Sequence, residues 1–265
     1  MEKIKHEYIE VNGLKHHVAE IGSSSGSPTI LFLHGFPELW YTWRFQMIAV
    51  ANAGYKAIAP DYRGYGWSDT PSEPEKATFD DLVSDMAAIL DALSISKEPG
   101  RAEADFERFD AKTVLRNIYI LFARSEIPIA LENQEIMDIV EPSTPLPSWF
   151  TEEDLAVYGA AYDKCGFHTA LQVPYREFRP KENSEQASNI PDLKVESPAL
   201  FITGEKDYVF KFPEMENYIK SGAVKMFVPN LEIEYIPEGS HFISEQFPDK
   251  VNELILSFIS KNIQV

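Results

Sequence analysis

The stretch PTILFLHGFP, residues 28–37, decides the fold that the sequence predicts. Residues 28–33 form a continuous apolar run, and His34 and Gly35 end it. Such a run is typical of a strand buried on both faces of a parallel sheet, whereas a half-exposed strand alternates apolar and polar residues. Gly35 lets the backbone approach a ligand closely, and the N–H groups that follow can point at a developing negative charge. Taken by itself, however, an ordinary Gly-Pro turn is the simpler interpretation.

The segments on either side predict further strands and a helix. Residues 7–22 alternate around Asn12-Gly13, a dipeptide that favours a two-residue hairpin turn, and so predict two antiparallel strands. Residues 41–53 have apolar side chains at helical spacing and end at a glycine, which is a common helix cap. Residues 55–60 repeat the buried-strand pattern more weakly. The order strand, helix, strand is that of an α/β protein.

The later part of the chain departs from this order. Residues 78–93 predict an amphipathic helix with a capping box at its start, and a third buried strand should follow it. Instead, helical patterns continue over residues 97–191, and strand patterns return only at 198–203 and 231–236. A final amphipathic helix is expected at residues 249–259. The sequence therefore predicts an α/β fold with a helical insertion.

Two helices of the insertion have clear start signals. Asp110 can cap one helix, and Thr151 with Asp154 can open a second helix that stops at Gly166. Residues 118–122 are apolar throughout and could also form a strand, but their spacing suits the helix better.

Composition limits the partners and the location of the protein. With 265 residues, of which 44% are hydrophobic, the chain can bury one large core, so a single domain is the default expectation. The net charge of −18 disfavours nucleic acid and anionic membrane surfaces, and no apolar run approaches a membrane span. Cys165 is the one cysteine, so no internal disulfide can form, and a cytoplasmic location is expected. A structural role for Cys165 is a simpler interpretation than a nucleophilic one.

Polar side chains follow three of the predicted strands. His34 and Gly35 follow the first buried strand, and Asp207 and His241 follow the last two strands. In an open α/β sheet the loops at the carboxyl ends of the strands converge on one crevice, so these groups are expected to meet. Asp207 could accept an imidazole N–H and hold the ring in one tautomer. Each residue alone would usually be structural, but a turn donor, an acid and a histidine in this order match the α/β hydrolases.

Five strings of the sequence resemble the epoxide hydrolases, in particular the soluble plant type. They are HGFPELWYTWRFQM (34–47), DYRGYGWSD (61–69), VPYREF (173–178), GEKDYVF (204–210) and EGSHFISEQFP (238–248). The resemblance covers nearly the whole chain and implies an α/β-hydrolase fold, which is a mostly parallel sheet with an N-terminal antiparallel hairpin and a helical lid. It implies one domain with these parts: an N-terminal core at 1–97, a lid truncated at its start at 98–192, and a C-terminal core at 193–265.

The resemblance also implies a reaction in two steps, without a metal ion or an organic cofactor. In the family, an Asp nucleophile on a strand-to-helix elbow attacks a carbon atom of a small apolar epoxide and forms an alkyl-enzyme ester. A water molecule activated by a His–Asp pair then hydrolyses this ester to a vicinal diol. His241 would be that base, and Asp207 would be the acid that orients it.

The oxyanion and the epoxide oxygen would each have hydrogen-bond donors of their own. Backbone N–H groups near Phe36, in the turn of His34, Gly35, Phe36 and Pro37, would stabilise the oxyanion, and a cis peptide bond before Pro37 would shape this turn. In the family, two lid tyrosines bond to the epoxide oxygen, and Tyr175 matches one of them. A phenol of pKa about 10 can protonate the strongly basic alkoxide that ring opening produces. The alternative interpretation of Tyr175 is a buried aromatic residue.

The nucleophile that the family requires is not found. Its elbow resembles Gly-x-Asp-x-Gly, and neither this frame nor the family's first lid tyrosine occurs in the chain. Ser125 is followed by the branched Ile127 and by Pro128, so no elbow helix can start there normally. The serines between residues 24 and 27 belong to a predicted loop.

The missing part falls between Lys97 and Glu98. A strand of five or six residues, an elbow helix of about a dozen, a second strand and the connections amount to about fifty residues. In the family these two strands are central, so their loss would open about 10 Å in the sheet. The sheet is therefore expected to re-pair or to stay split, and either outcome should expose apolar strand edges.

Three interpretations of function follow. The one that the resemblance favours is an epoxide hydrolase whose chain is internally shortened and which forms no diol. The second is a non-catalytic α/β-hydrolase-like protein that binds a small ligand or a partner chain. The third and weakest is another hydrolase, such as an esterase that uses a serine or Cys165. No oligomeric state is predicted.

Overall fold

A computed structural model describes seven parts of the chain. These are residues 4–11, 13–22, 29–73, 101–126, 134–172, 194–212 and 215–262. The predicted helix at 78–93, the expected junction at Lys97 and Glu98, and Tyr175 lie outside the described residues, as do the serines between 24 and 27.

The larger sheet contains the N-terminal hairpin and two further strands. In chain order its strands are β1 (Lys5–Val11), β2 (Leu14–Ile21), β3 (Thr29–Leu31) and β4 (Lys56–Pro60). Their spatial order is β1-β2-β4-β3, with β3 parallel to β4 and the other neighbours antiparallel. Val11 pairs with Leu14 and Gly13 has a φ of 77°, a value that glycine adopts at little cost. The predicted two-residue hairpin turn is therefore confirmed.

The smaller sheet contains the two strands that the sequence predicts near the C-terminus. They are β5 (Ala199–Gly204) and β6 (Leu231–Ile236), and they pair in parallel. Among the described residues, β3 pairs with β4 alone and β5 pairs with β6 alone. Within the described ranges, each of the two strands therefore has a paired neighbour on one side.

The prediction of a strand within residues 28–33 is confirmed, but the prediction that this strand is buried on both faces is wrong. The strand forms and is parallel, but Thr29 is exposed and the side chain of Leu31 is 52% exposed. On β5, Phe201 is 37% exposed. These side chains meet solvent because no described strand lies beside β3 or β5 on the open side. Whether the sheet is split or re-paired at the expected junction stays a prediction, because that junction lies outside the described residues.

Eight α-helices lie within the described ranges. Residues 118–122 belong to a helix, as their spacing predicts, and Asp110 caps that helix by accepting the Thr113 N–H at 2.8 Å. Thr151 and Asp154 form the predicted capping box. None of these helices is long and apolar enough to cross a membrane. The helices are α1 (Arg44–Asn52), α2 (Arg101–Phe106), α3 (Ala111–Phe122), α4 (Glu152–Cys165), α5 (His168–Gln172), α6 (Met215–Lys220), α7 (Ile243–Gln246) and α8 (Pro248–Asn262).

Helix packing holds the two sheets side by side. Helix α1 packs against β4 and against α8, and α8 also packs against β5. Helices α3 and α4 of the predicted insertion pack on each other and bury large aromatic side chains, including Tyr119 and Tyr158. The ring of Tyr119 stacks on that of Phe150 with centroids 3.9 Å apart and on that of Phe242 with centroids 4.3 Å apart. Stacked rings therefore join the insertion to the segment that follows β6.

Replacing Leu31 with Lys should reduce aggregation of the protein. A charge on an exposed strand opposes pairing with another molecule, and Leu31 is exposed, so the change removes little packing. Light scattering over time, at equal protein concentration, measures the effect. Met226→Lys is the matched control, because Met226 is 69% exposed but lies in a 3₁₀ turn outside both strands. Equal aggregation of the two variants would contradict the role given to the β3 edge.

Candidate active site

The carboxyl ends of β5 and β6 bring Asp207 and His241 together. His241 Nδ1 lies 3.1 Å from Asp207 Oδ2 and 3.2 Å from Oδ1. A carboxylate accepts, so the imidazole proton is assigned to Nδ1, which leaves the lone pair on Nε2 to take up a proton. Asp207 is itself held, because its Oδ1 accepts the Val209 N–H at 3.0 Å. The two residues lie together as the sequence predicts, and their catalytic roles stay predictions.

Two glycines allow the loops after β5 and β6 to approach each other. A Cβ atom on Gly204 would lie 2.1 Å from the carbonyl oxygen of Gly239, far inside contact distance. The Lys206 N–H donates to that same carbonyl oxygen at 2.9 Å, and the Glu205 N–H donates to the Ile236 carbonyl oxygen at 3.0 Å. These loop contacts need the small residues, and they bring the acid within reach of the histidine.

Aromatic rings surround the imidazole of His241. Its ring centroid lies 5.0 Å from that of Tyr208, 5.2 Å from that of Phe242 and 5.9 Å from that of Phe122. The His241 side chain is 31% exposed, so small molecules can reach it. Phe122 could not be identified from the sequence, because an apolar residue at the end of a helix carries no signal of a site. Aromatic side chains therefore form an apolar wall, that is, an apolar surface beside the imidazole of His241.

The turn after β3 is shaped by its own polar groups. His34 Nε2 accepts the Tyr62 N–H at 3.2 Å, and Nδ1 donates to the Gly35 carbonyl oxygen at 2.9 Å. Burial lowers the pKa of His34, which keeps the ring neutral. The Phe36–Pro37 peptide bond is cis, as the resemblance implies. Because both ring nitrogens bond to backbone groups, His34 holds the turn in shape.

Glu38 lies beside this turn and takes one of its N–H groups. Its Oε2 accepts the Gly35 N–H at 2.9 Å, and its Oε1 accepts the Thr42 hydroxyl at 2.9 Å. The Gly35 N–H is therefore engaged within the protein. The part that the turn plays in oxyanion binding stays a prediction.

A buried ionic cluster connects the insertion to the strand-end rim. The guanidinium of Arg44, on α1, donates to Glu245 Oε1 at 2.7 Å and to Asp154 Oδ1 at 2.8 Å. Glu245 also accepts the hydroxyl groups of Tyr119 at 3.0 Å and Tyr158 at 3.2 Å. Tyr119 belongs to α3, Asp154 and Tyr158 belong to α4, and Glu245 belongs to α7, the helix directly after the rim histidine. One cluster therefore joins four helices.

The charges of this cluster do not balance, because one guanidinium faces two carboxylates. Burial raises the pKa of Glu245 from 4.5 to about 7, against the attraction of Arg44. Asp154 has further donors, since it accepts the Thr151 N–H at 3.0 Å and the Thr151 hydroxyl at 2.6 Å. Glu245 is therefore the group in the cluster that gains or loses a proton near neutral pH.

Neither alternative nucleophile within the described residues is well placed. Burial raises the pKa of Cys165 from 9.0 to about 12, so the reactive thiolate is scarce at neutral pH. Ser125 lies in an exposed bend shortly after α3 rather than at a strand end. In the same described ranges, no group of three or more His, Cys, Asp and Glu side chains is placed to hold a metal ion.

Comparison with known proteins reveals extensive similarity. Residues 28–97 match the family model for the alpha/beta hydrolase fold. "Epoxide hydrolase 2" of Siraitia grosvenorii is 33% identical, over 98% of this chain and 100% of the relative. A crystal structure of an epoxide hydrolase from Vigna radiata matches with a TM-score of 0.83 and 30% identity, over 98% of this chain and 99% of that chain. Potato (Solanum tuberosum) epoxide hydrolase I matches with a TM-score of 0.81 and 29% identity, over 98% of this chain and 100% of that chain.

The match over residues 28–97, together with the solved structures of similar sequence, places the protein among those with the alpha/beta hydrolase fold. The similarity to the plant enzymes is wider, since it extends over almost the whole chain, and its level is sufficient to define the family. The chain belongs to the epoxide hydrolase family.

Replacing Glu245 with Gln should remove part of the pH dependence of stability. The native protein holds a proton on Glu245 up to about pH 7, whereas the unfolded chain releases it near pH 4.5, so stability falls as the pH rises through this window. The difference in unfolding free energy between E245Q and the unmodified protein should therefore change by about 3 kcal/mol across the window, in favour of the variant at high pH.

Chemical denaturation at several pH values measures this difference. Glu238→Gln is the matched control, because Glu238 is exposed and pairs with the exposed Lys206. A constant difference between E245Q and the unmodified protein from pH 4.5 to 7 would contradict the role of Glu245.

Proposed function

We propose that this protein is a shortened epoxide hydrolase that retains the water-activating pair of its family but forms no diol. The observation that carries the proposal is the His241–Asp207 hydrogen bond, at 3.1 Å, at the carboxyl ends of the paired strands β5 and β6. In this proposal one domain contains three parts: an N-terminal core at 1–97, a truncated lid at 98–192 and a C-terminal core at 193–265. The single cysteine favours the cytosol as its location.

Two further observations support an internal shortening. The alignment with the Siraitia grosvenorii relative spans 323 residues, whereas 98% of the 265 residues here is about 260, so about 60 positions have no counterpart in this chain. The match to the alpha/beta hydrolase model ends at residue 97, which is the position where the sequence predicts the junction. Both agree with the loss of a strand, an elbow helix and a second strand near Lys97 and Glu98.

The retained pair has a defined chemical task. Asp207 holds the Nδ1–H of His241, so Nε2 can remove a proton from a water molecule that attacks an ester. Without an Asp on an elbow, no alkyl-enzyme ester forms and the activated water has no substrate. Loss of the nucleophile alone costs on the order of a million-fold in a comparable triad enzyme.

The substrate class of the parent reaction is a small apolar epoxide. The relatives carry the name epoxide hydrolase, and the wall of Phe122, Tyr208 and Phe242 beside His241 suits an apolar molecule. Backbone N–H groups of the turn at residues 34–37 would stabilise the oxyanion. Tyr175 would donate a hydrogen bond to the epoxide oxygen, since a phenol can protonate the alkoxide as it forms.

The purified chain, incubated with an aryl epoxide such as styrene oxide, should produce diol no faster than buffer alone. Chromatographic measurement of the diol tests this, with the Siraitia grosvenorii enzyme as the positive control. His241→Ala should leave the background rate unchanged. Turnover above background that disappears in His241→Ala would overturn the proposed function.

A further inference from the structure

The segment that carries His241 lies directly on helix α7. It runs from β6 through Glu238, Gly239 and Ser240 to the histidine, and α7 begins two residues later. A Cβ atom on Gly239 would lie 2.9 Å from Ile243 Cγ2, so the backbone of the segment touches the helix. Ser240 is buried, with 3% of its surface exposed. The polar groups of this segment therefore need partners inside the protein.

Gln246, the last residue of α7, provides several of these partners. Its Oε1 accepts the Ser240 N–H at 2.8 Å and the Ser240 hydroxyl at 2.8 Å. Its Nε2 donates to the Glu238 carbonyl oxygen at 3.3 Å. A backbone N–H can only donate, so it determines which end of the Gln246 amide faces the serine. One side chain therefore accepts from and donates to the segment that leads to His241.

The same residue also bonds to the chain after the histidine. The Gln246 N–H donates to the Phe242 carbonyl oxygen at 3.0 Å, while the Gln246 side chain holds Ser240. Ser240 and Phe242 are the two neighbours of His241 along the chain. The backbone on both sides of the histidine is therefore bonded to one residue, and this limits how far the imidazole can move.

Helix α7 is itself held by other parts of the protein. The Ser244 carbonyl oxygen accepts from Gln46 Nε2, on α1, at 3.1 Å. The next residue, Glu245, pairs with Arg44 at 2.7 Å and accepts the Tyr119 hydroxyl at 3.0 Å. Because these bonds fix the helix, a side chain that extends from it can hold the neighbouring segment in place.

Asp207 reaches His241 from the other strand of the small sheet. It lies in the loop after β5, where its Oδ1 accepts the Val209 N–H at 3.0 Å, and its Oδ2 lies 3.1 Å from His241 Nδ1. The acid and the histidine thus follow different strands, so the distance between them depends on where the segment after β6 is held. A hydrogen bond weakens steeply when its atoms move out of line, so this position matters for the pair.

We propose that Gln246 is a positioning residue of the His241–Asp207 pair. By fixing Ser240 and Phe242, it keeps Nδ1 of the imidazole against the carboxylate and so selects the tautomer whose Nε2 can take up a proton. The tautomer of a histidine is set by the hydrogen bond that its other nitrogen makes. This inference rests on the proposed function, in which the pair activates water.

Gln246→Met tests the proposal, because it keeps the length of the side chain and removes its polar atoms. Nitrogen NMR of the histidine-labelled protein, under alkaline conditions that leave histidine neutral, distinguishes the two tautomers. His241→Ala assigns the signals of His241. The Nδ1–H tautomer should dominate in the unmodified protein. In Q246M the ratio of Nδ1–H to Nε2–H should fall about tenfold, which is the equivalent of one lost hydrogen bond.

Further variants separate positioning from a general loss of stability. Gln246→Glu retains an oxygen acceptor for both Ser240 donors, so it should keep the Nδ1–H tautomer even where it lowers the melting temperature. Gln46→Met is the matched control, because it removes a bond to the Ser244 carbonyl oxygen of the same helix and should leave the tautomer unchanged. If Q246M does not fold, Ser240→Ala removes one of the two donors and should lower the ratio about threefold.

Four results would overturn the role of Gln246. They are an unchanged ratio in folded Q246M, an unchanged ratio in Ser240→Ala, an equal loss of the Nδ1–H tautomer in Q246E and Q246M, or the same loss in Gln46→Met. The NMR measurement needs no turnover, so these results are independent of the diol assay. Diol formation would overturn the proposed function alone, whereas an Nε2–H tautomer of His241 in the unmodified protein would overturn both.

Discussion

The guanidinium of Arg44 connects parts of the protein that the strands leave separate. The described strands form two sheets, so no described backbone ladder runs from the turn after β3 to the rim of Asp207 and His241. Arg44 spans this division, because it bonds to Glu245 beside the rim and to Asp154 in the insertion. Breaking a buried ion pair by removing one partner costs about 3–5 kcal/mol. Arg44 therefore adds a buried polar link between core, insertion and rim to the helix packing and the ring stacking that also join them.

The geometry of the rim pair is independent of that division. Asp207 and His241 both lie in loops that follow β5 and β6, and these two strands pair directly with each other. Gly204 and Gly239 set the approach of the loops, and both also belong to this region. The nucleophile of the family comes from a different strand, so the base can persist where the nucleophile does not. In the proposed function, the base therefore keeps its geometry whether or not the strand that supplies the nucleophile is present.

Local chemistry made much of the fold predictable from the sequence. Asn12-Gly13, the Asp110 cap and the capping box of Thr151 and Asp154 act over a few residues, and each produces the predicted element. Burial of β3 was not predictable in the same way, because it depends on the neighbouring strand rather than on the strand's own residues. Arg44 and Glu245 are 201 residues apart, and nothing in either local sequence indicates that they pair. The rim pair was found because its residues follow strands in the order of a known family.

Intact-mass spectrometry can distinguish a chain that has a water-activating base but no nucleophile from one that has both. The His241→Ala protein, after incubation with an epoxide, would accumulate any alkyl-enzyme ester, because the base that hydrolyses it is absent. The mass of the protein should stay unchanged. An increase equal to the mass of the epoxide, located on a carboxylate of this chain, would contradict it.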